Sequence, residues 1–206
     1  MRESLVVHDV QYLLHFTKYS NLEGIMRNGL LRRSELDRRK EAYSHVDDLR
    51  LDGHLNSLSI SIGFPNYRMF YAARQRFPGE EWVVLGLRAD VLIDKTCAFF
   101  PRNAASACFR GMDPKFLGGK DSFHAMFGDI GCIRRADLGL PNHFTTDPQA
   151  EVLVFDDIEA SYIFAVIAQS AKQRDAVFQA YPHLGEKNIV VYAPFFSYRP
   201  DYEHWR

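Results

Sequence analysis

Residues 57–62, SLSISI, alternate strictly: Leu58, Ile60 and Ile62 are apolar, and Ser57, Ser59 and Ser61 carry hydroxyls. Successive side chains of an extended strand point to opposite faces, so a period of two commits this segment to a strand with one buried face and three hydroxyls on the other. Such a strand needs a sheet around it, and the other apolar runs are short enough to supply one. YLLHFT at 12–17, EWVVLGLRADVL from 81, VLVF from 152, YIFAVIA from 162 and NIVVYAPFF from 188 all read as strands. AKQRDAVFQAYP, from 171, reads as a late helix.

Punctuation between the runs is sharp. After YLLHFT, Ser20 and Glu23 have the spacing of a capping box, Leu22, Ile25 and Met26 recur at helical spacing, and Gly29 suits a C-terminal cap. A second, basic helix is expected to start near Ser34. Gly63 and Pro65 end the serine strand, and Met69, Phe70 and Ala73 give the next helix an apolar side. Residues 97–147 differ: they are rich in Gly, Asp, Arg and aromatic residues and hold little periodicity, as long functional loops do. With no repeat and no linker, the reading is one α+β domain over residues 1–206, built on a mixed, mostly antiparallel sheet.

Composition removes several classes of function. No stretch of about 20 apolar residues is present, and the N-terminus lacks the apolar core of a secretory signal, so the expectation is a cytoplasmic protein with no membrane partner. Cys97, Cys108 and Cys132 form no C-x-x-C pair, and the eight histidines lack ligand spacing, so no metal is expected. No G-x-S-x-G, G-x-G-x-x-G or P-loop occurs. A net charge of −1 gives no global pull on nucleic acid; the local candidate is residues 26–40, where Arg27, Arg32, Arg33, Arg38, Arg39 and Lys40 face only Glu35 and Asp37. A solvated helix face accounts for such a run more often than a phosphate track does.

The residues able to carry chemistry are His15 and Thr17 on one strand face, Arg50 in VDDLRLDGH, the serine strand, and Glu151 where the long loop meets a strongly apolar strand. A carboxylate there can project into a cleft while the loop supplies contacts. An acidic residue at the head of a strand is, from periodicity alone, more often solvated at the sheet edge.

Taken in order, H-F-T, S-N-L-E-G-I-M with N-G-L, D-D-L-R-L-D-G, S-I-G-F-P-N-Y-R-M-F-Y and Q-A-E-V-L-V resemble the DarT-like family of nucleic-acid ADP-ribosyltransferases over roughly residues 10 to 170. The resemblance implies an ADP-ribosyltransferase-like split β-sandwich with flanking helices, NAD as substrate in the central cleft, and a long acceptor-recognition loop. It implies Glu151 and Arg50 as catalytic residues. His15, Phe16, Thr17, Gly24 and Arg50 would bind NAD, and Gln149, Asn66, Tyr67 and Phe144 would meet the acceptor, a nucleobase in single-stranded DNA or RNA. By analogy the chain is the toxin of a toxin–antitoxin or anti-phage system, with an antitoxin as partner. It departs from many members in carrying S-L-S-I-S-I-G-F-P-N-Y-R-M-F in place of an aromatic-rich Y-V-P-F-Y-F stretch, so DNA and RNA both stay open, as does a protein acceptor or a non-catalytic NAD-binding role.

Overall fold

A computed structural model describes residues 1–41, 43, 56–109, 111–185 and 188–205. In chain order the elements are α1 (Arg2–Val7), β1 (Tyr12–Lys18), α2 (Leu22–Asn28), α3 (Arg33–Arg39), β2 (Leu58–Ile62), α4 (Tyr67–Arg76), β3 (Trp82–Arg88), α5 (Val91–Asp94), β4 (Cys97–Phe100), α6 (Gly119–Ala125), β5 (Glu151–Val154), β6 (Ile163–Ala168), α7 (Ala171–Ala180) and β7 (Ile189–Val191). The strands form one sheet in the order β4-β5-β2-β1-β3-β6-β7, antiparallel except for the β6–β7 pair.

The sheet is split at β2. That strand pairs with β1 through only Leu13↔Ile62 and Leu14↔Ser61, then with β5 through Leu58↔Val154, Ser59↔Leu153 and Ile60↔Val152. Ladder partners share a face, so the alternation seen in the sequence sorts the core. Leu13, Leu85, Ile60, Ile62, Val152 and Val154 lie in one cluster with Leu22 of α2, Val91 of α5, Phe123 of α6 and Val177 of α7. Leu14, Val84 and Trp82 pack instead with Tyr67 and Phe70 of α4 and with Phe195 and Phe196.

Local signals were met unevenly. Gly29 caps α2 with φ +84°, and a Cβ there would stand 2.2 Å from the Ile158 carbonyl, whose strand-like bridge to Leu30 needs that close approach. The capping box does not form: Tyr19–Asn21 is a 3-10 turn, α2 opens at Leu22, and Asn21 donates back to Thr17 instead. The strand β4 lies inside the stretch read as irregular, because four residues are too few to show a period. ADVL closes into the short helix α5 rather than extending β3.

The basic run is largely neutralised where it stands. Arg38 and Arg39 both reach Glu35, whose carboxyl hydrogen bonds to Arg38 and Arg39 hold its pKa at about 2. Arg27 pairs with Glu23 and Arg32 with Asp157. These are the contacts of a solvated face. Among the described residues no helix is long and apolar enough to cross a membrane, and no group of three or more His, Cys, Asp or Glu could hold a metal ion.

Helix α1 docks through His8, stacked at 3.8 Å on Phe127 with its Nε2 2.8 Å from Nδ1 of His124. Burial, then His124 and Arg135, lower the His8 pKa from 6.5. A histidine depressed in the folded state contributes stability that is full above its unfolded value and is lost as pH falls through the folded one. The denaturant midpoint is therefore expected to fall on acidification below about 6.5, and this component should vanish in His8→Phe, which keeps the stacking but cannot titrate.

Candidate active site

The two half-sheets separate immediately beyond the Leu14↔Ser61 pair, and His15 stands at that point. With no β1 partner left for it in the ladder, the Ser59 carbonyl meets Nδ1 of His15 at 3.0 Å. Thr17, two residues on and buried, accepts from Asn21 at 3.2 Å, which ties the end of β1 to the turn before α2. A Cβ at Gly24 of α2 would meet nothing within 4 Å, so the helix leaves room there for a ligand. Phe16 alternates to the other face, stacked on Phe70 at 4.5 Å and near Trp82.

Glu151 is 3% exposed, so it is not a solvated edge residue. Ser59↔Leu153 pairing puts Glu151 on the serine face of the sheet. Its Oε2 accepts from the Ser59 hydroxyl at 2.6 Å, and its Oε1 from the Ala104 amide at 2.8 Å, in the loop after β4. A carboxylate removed from water needs such donors, and here they also fix its orientation. Ser61 accepts the backbone amide of Asn66, whose Oδ1 caps α4 by accepting from Met69. The Asn66 Nδ2, buried, has no hydrogen-bond partner among the described residues. His15, Ser59 and Glu151 are thus linked across the split, and the Ser61–Asn66 pair lies two residues along the same strand from Ser59.

The segment entering β5 is pinned by residues that sequence patterns did not single out. Arg199, 1% exposed, forks onto Asp201 at 2.6 Å and donates to the Thr145 and Thr146 carbonyls at 2.8 and 2.6 Å. Trp205 Nε1 donates to Asp201 at 2.7 Å. Arg135 holds the other side of the segment through Thr146 Oγ1 and the Pro141 and Asn142 carbonyls. Asp147, buried, accepts from the Gln149 amide at 2.8 Å and from Arg102 at 3.3 Å; desolvation outweighs both and raises its pKa. No periodic pattern marks any of these: Arg199 bonds to carbonyls 54 and 53 residues away, Asp147 accepts from Arg102 across 45 residues, and the shorter-range contacts of Arg135, Asp147 and Trp205 belong to no repeating apolar pattern.

The remaining candidates are placed as follows. Gln149 is partly exposed two residues before Glu151. Tyr67 is buried edge-on against Tyr198, and Phe144 packs edge-on against Phe64, so both are held by protein contacts. Arg50 lies outside the described residues.

Gly63, which ends β2 with φ +75°, admits the loop: a Cβ would sit 2.3 Å from the His143 carbonyl and 2.8 Å from the Phe144 ring. Gly63→Ala should therefore cost about 1–3 kcal/mol from backbone strain alone, more with the clash, and displace residues 143–144. Denaturant unfolding together with protease sensitivity of that loop checks this.

The chain is similar to known proteins over most of its length. Residues 14–198 match the family model described as DarT, ssDNA thymidine ADP-ribosyltransferase. By sequence, no curated protein matches the chain. Among solved structures, Thermosipho africanus DarTG in complex with ADP-ribose aligns with a TM-score of 0.62 at 16% identity, covering 90% of this chain and 51% of that one. The chain therefore spans about half the length of that relative. Thermus sp. 2.9 DarT in complex with NAD+ aligns at TM-score 0.57 and 15% identity over 92% of this chain and 98% of that one. The same protein in complex with ADP-ribosylated ssDNA gives 0.55 and 16%, over 92% and 97%. The expected α+β fold is the fold these structures share.

Proposed function

We propose, given that the chain belongs to the DarT family of ssDNA thymidine ADP-ribosyltransferases, that it transfers ADP-ribose from NAD to thymine in single-stranded DNA, with Glu151 as the catalytic carboxylate. The observation that carries the assignment is the buried Glu151 carboxylate, held by Ser59 and Ala104 on the wall of the split. Of the three acceptors left open by the sequence, DNA, RNA and protein, DNA is the one that family membership favours.

In the reaction the bond from the nicotinamide nitrogen to ribose C1′ breaks, and nicotinamide leaves with the electron pair. Positive charge develops on the ribose, and a fixed carboxylate stabilises it without having to reorganise. A thymine joined to deoxyribose through N1 keeps one ring N–H, at N3. That nitrogen supplies the pair for the new bond to C1′, and its proton passes to solvent. Single strands expose this edge, which pairing hides in a duplex. His15, Thr17 and the open side of Gly24 are assigned to hold NAD, and Gln149 and Asn66 to orient the base. Arg50 is assigned an electrostatic role toward the deprotonated base or the pyrophosphate, because an ordinary arginine stays protonated. The protein acts in the cytoplasm as the toxin of a toxin–antitoxin pair and is held in check by an antitoxin partner.

Intact mass of oligonucleotides after incubation with NAD tests this reading. One added ADP-ribose is expected on a thymine-containing single strand and none on the same strand with cytosine in place of thymine. Unmodified thymine DNA, with NAD bound, would sink it.

A further inference from the structure

Beyond the split, on the same side of the sheet as Glu151, helix α4 carries a stripe that runs from its core packing out to solvent. Tyr67, Tyr71 and Arg74 recur at helical spacing. Tyr67 is buried, but Tyr71 is 44% exposed. The C-terminal segment lays two more rings beside it: Tyr198, 51% exposed, lies 6.0 Å from Tyr71 at 36° and is stacked at 5.3 Å and 27° on Tyr202. Arg74 sits over the Phe70 ring at 4.8 Å, close to both Tyr71 and Tyr198, and its buried Nε has no hydrogen-bond partner among the described residues. Helix α4 carries Arg68, Arg74 and Arg76 and no acidic residue. Of the nearby acids, Asp201 is spent on Arg199, and Glu203 accepts from the Tyr202 hydroxyl at 3.3 Å.

From this juxtaposition we infer that Tyr71, Tyr198 and Tyr202, with Arg74, form a second binding platform on which bases flanking the target nucleotide stack while the arginine takes a phosphate. Single-stranded DNA is the occupant because successive exposed rings beside a guanidinium group match what an unpaired strand offers: base faces, and one negative charge per nucleotide. The platform's position gives it that strand. Asn66, the N-cap of α4, bonds to Ser61, two residues from the serine that holds Glu151, and Tyr71 stands about 7.5 Å further along the helix at 1.5 Å per residue. A strand with its target base at Glu151 is thereby led along α4. The inference rests on the proposed reaction for its substrate, while its binding arm stands without it.

The test uses a fluorescently labelled 12-nucleotide single strand containing one thymine, and a trinucleotide with the same thymine. Anisotropy of the 12-mer should show Tyr71→Ala/Tyr198→Ala binding about tenfold more weakly, and Tyr198→Phe binding like the parent. Arg74→Gln should lower the salt dependence by about one phosphate contact. In transfer assays the double variant should raise KM for the 12-mer alone, leaving kcat and the trinucleotide KM unchanged. Equal thermal midpoints exclude a folding cause, since both substituted rings are half exposed. Parent-like affinity and 12-mer KM in the double variant would overturn the platform, as would a parent protein that binds no single strand. A parent that binds the 12-mer in a tyrosine-dependent way yet transfers nothing would uphold the platform and remove the reaction.

Discussion

Glu151→Gln is expected to lower kcat for ADP-ribosyl transfer by about 10²–10³-fold, the scale on which removal of one preorganised electrostatic group acts. The substitution is close to isosteric, and its stability cost should be small. The amide oxygen can keep the Ala104 N–H, and the amide nitrogen can donate to Ser59, whose hydroxyl turns from donor to acceptor. Unchanged NAD affinity with lost turnover marks a charge needed in the transition state and not in the ground state. Glu151→Ala is the less informative variant, because it leaves the Ala104 amide and Ser59 hydroxyl buried without their partner at a cost of about 1–3 kcal/mol. Turnover within tenfold of the parent in Glu151→Gln would remove the carboxylate from the mechanism.

Arg199→Ala carries the largest expected loss of stability. It strands a buried Asp201 with Trp205 as its remaining donor and leaves the Thr145 and Thr146 carbonyls without their guanidinium. Breaking one partner of a buried pair costs about 3–5 kcal/mol, which for a chain of this size is a fall of roughly 10 °C in Tm. Arg199→Lys should recover only part of this, since an ammonium restores charge without the planar fork. Scanning calorimetry of the two variants decides the matter; a shift under about 2 °C in Arg199→Ala would show that the clamp contributes little.

Periodicity carried the reading as far as local physics reaches. Leu58, Ile60 and Ile62 went to the core and Ser59 and Ser61 to the opposite face because a strand admits no other arrangement. What periodicity could not supply was the placement of Glu151, for which it favoured a solvated edge; the carboxylate is instead buried, held by partners 92 and 47 residues away that no local pattern reveals. Arg135, Asp147 and Arg199 left no trace in the pattern, because the arginines donate to loop carbonyls and Asp147 accepts from Arg102 and a nearby amide, none of which requires a periodic spacing. Phe16 was assigned to NAD with His15 and Thr17 on the resemblance alone; alternation along the strand sends it to the opposite face from them, where it stacks on Phe70. The basic run was legible as charge, but its neutralisation by Glu35 and Asp157 depends partly on contact across the fold.

The dual pairing of β2 also bears on how the chain comes into being. Ser59 and Glu151 are 92 residues apart, so at 5–20 residues per second a nascent chain holds Ser59 for about 5–20 s before its carboxylate partner is synthesised. During that interval the split has one wall. The clamp at Arg199 follows later still, after a further stretch of synthesis. A chain interrupted anywhere before β5 therefore carries His15 and the serine face without the buried carboxylate that the proposed mechanism requires, and on that mechanism transfer waits until most of the domain has been translated.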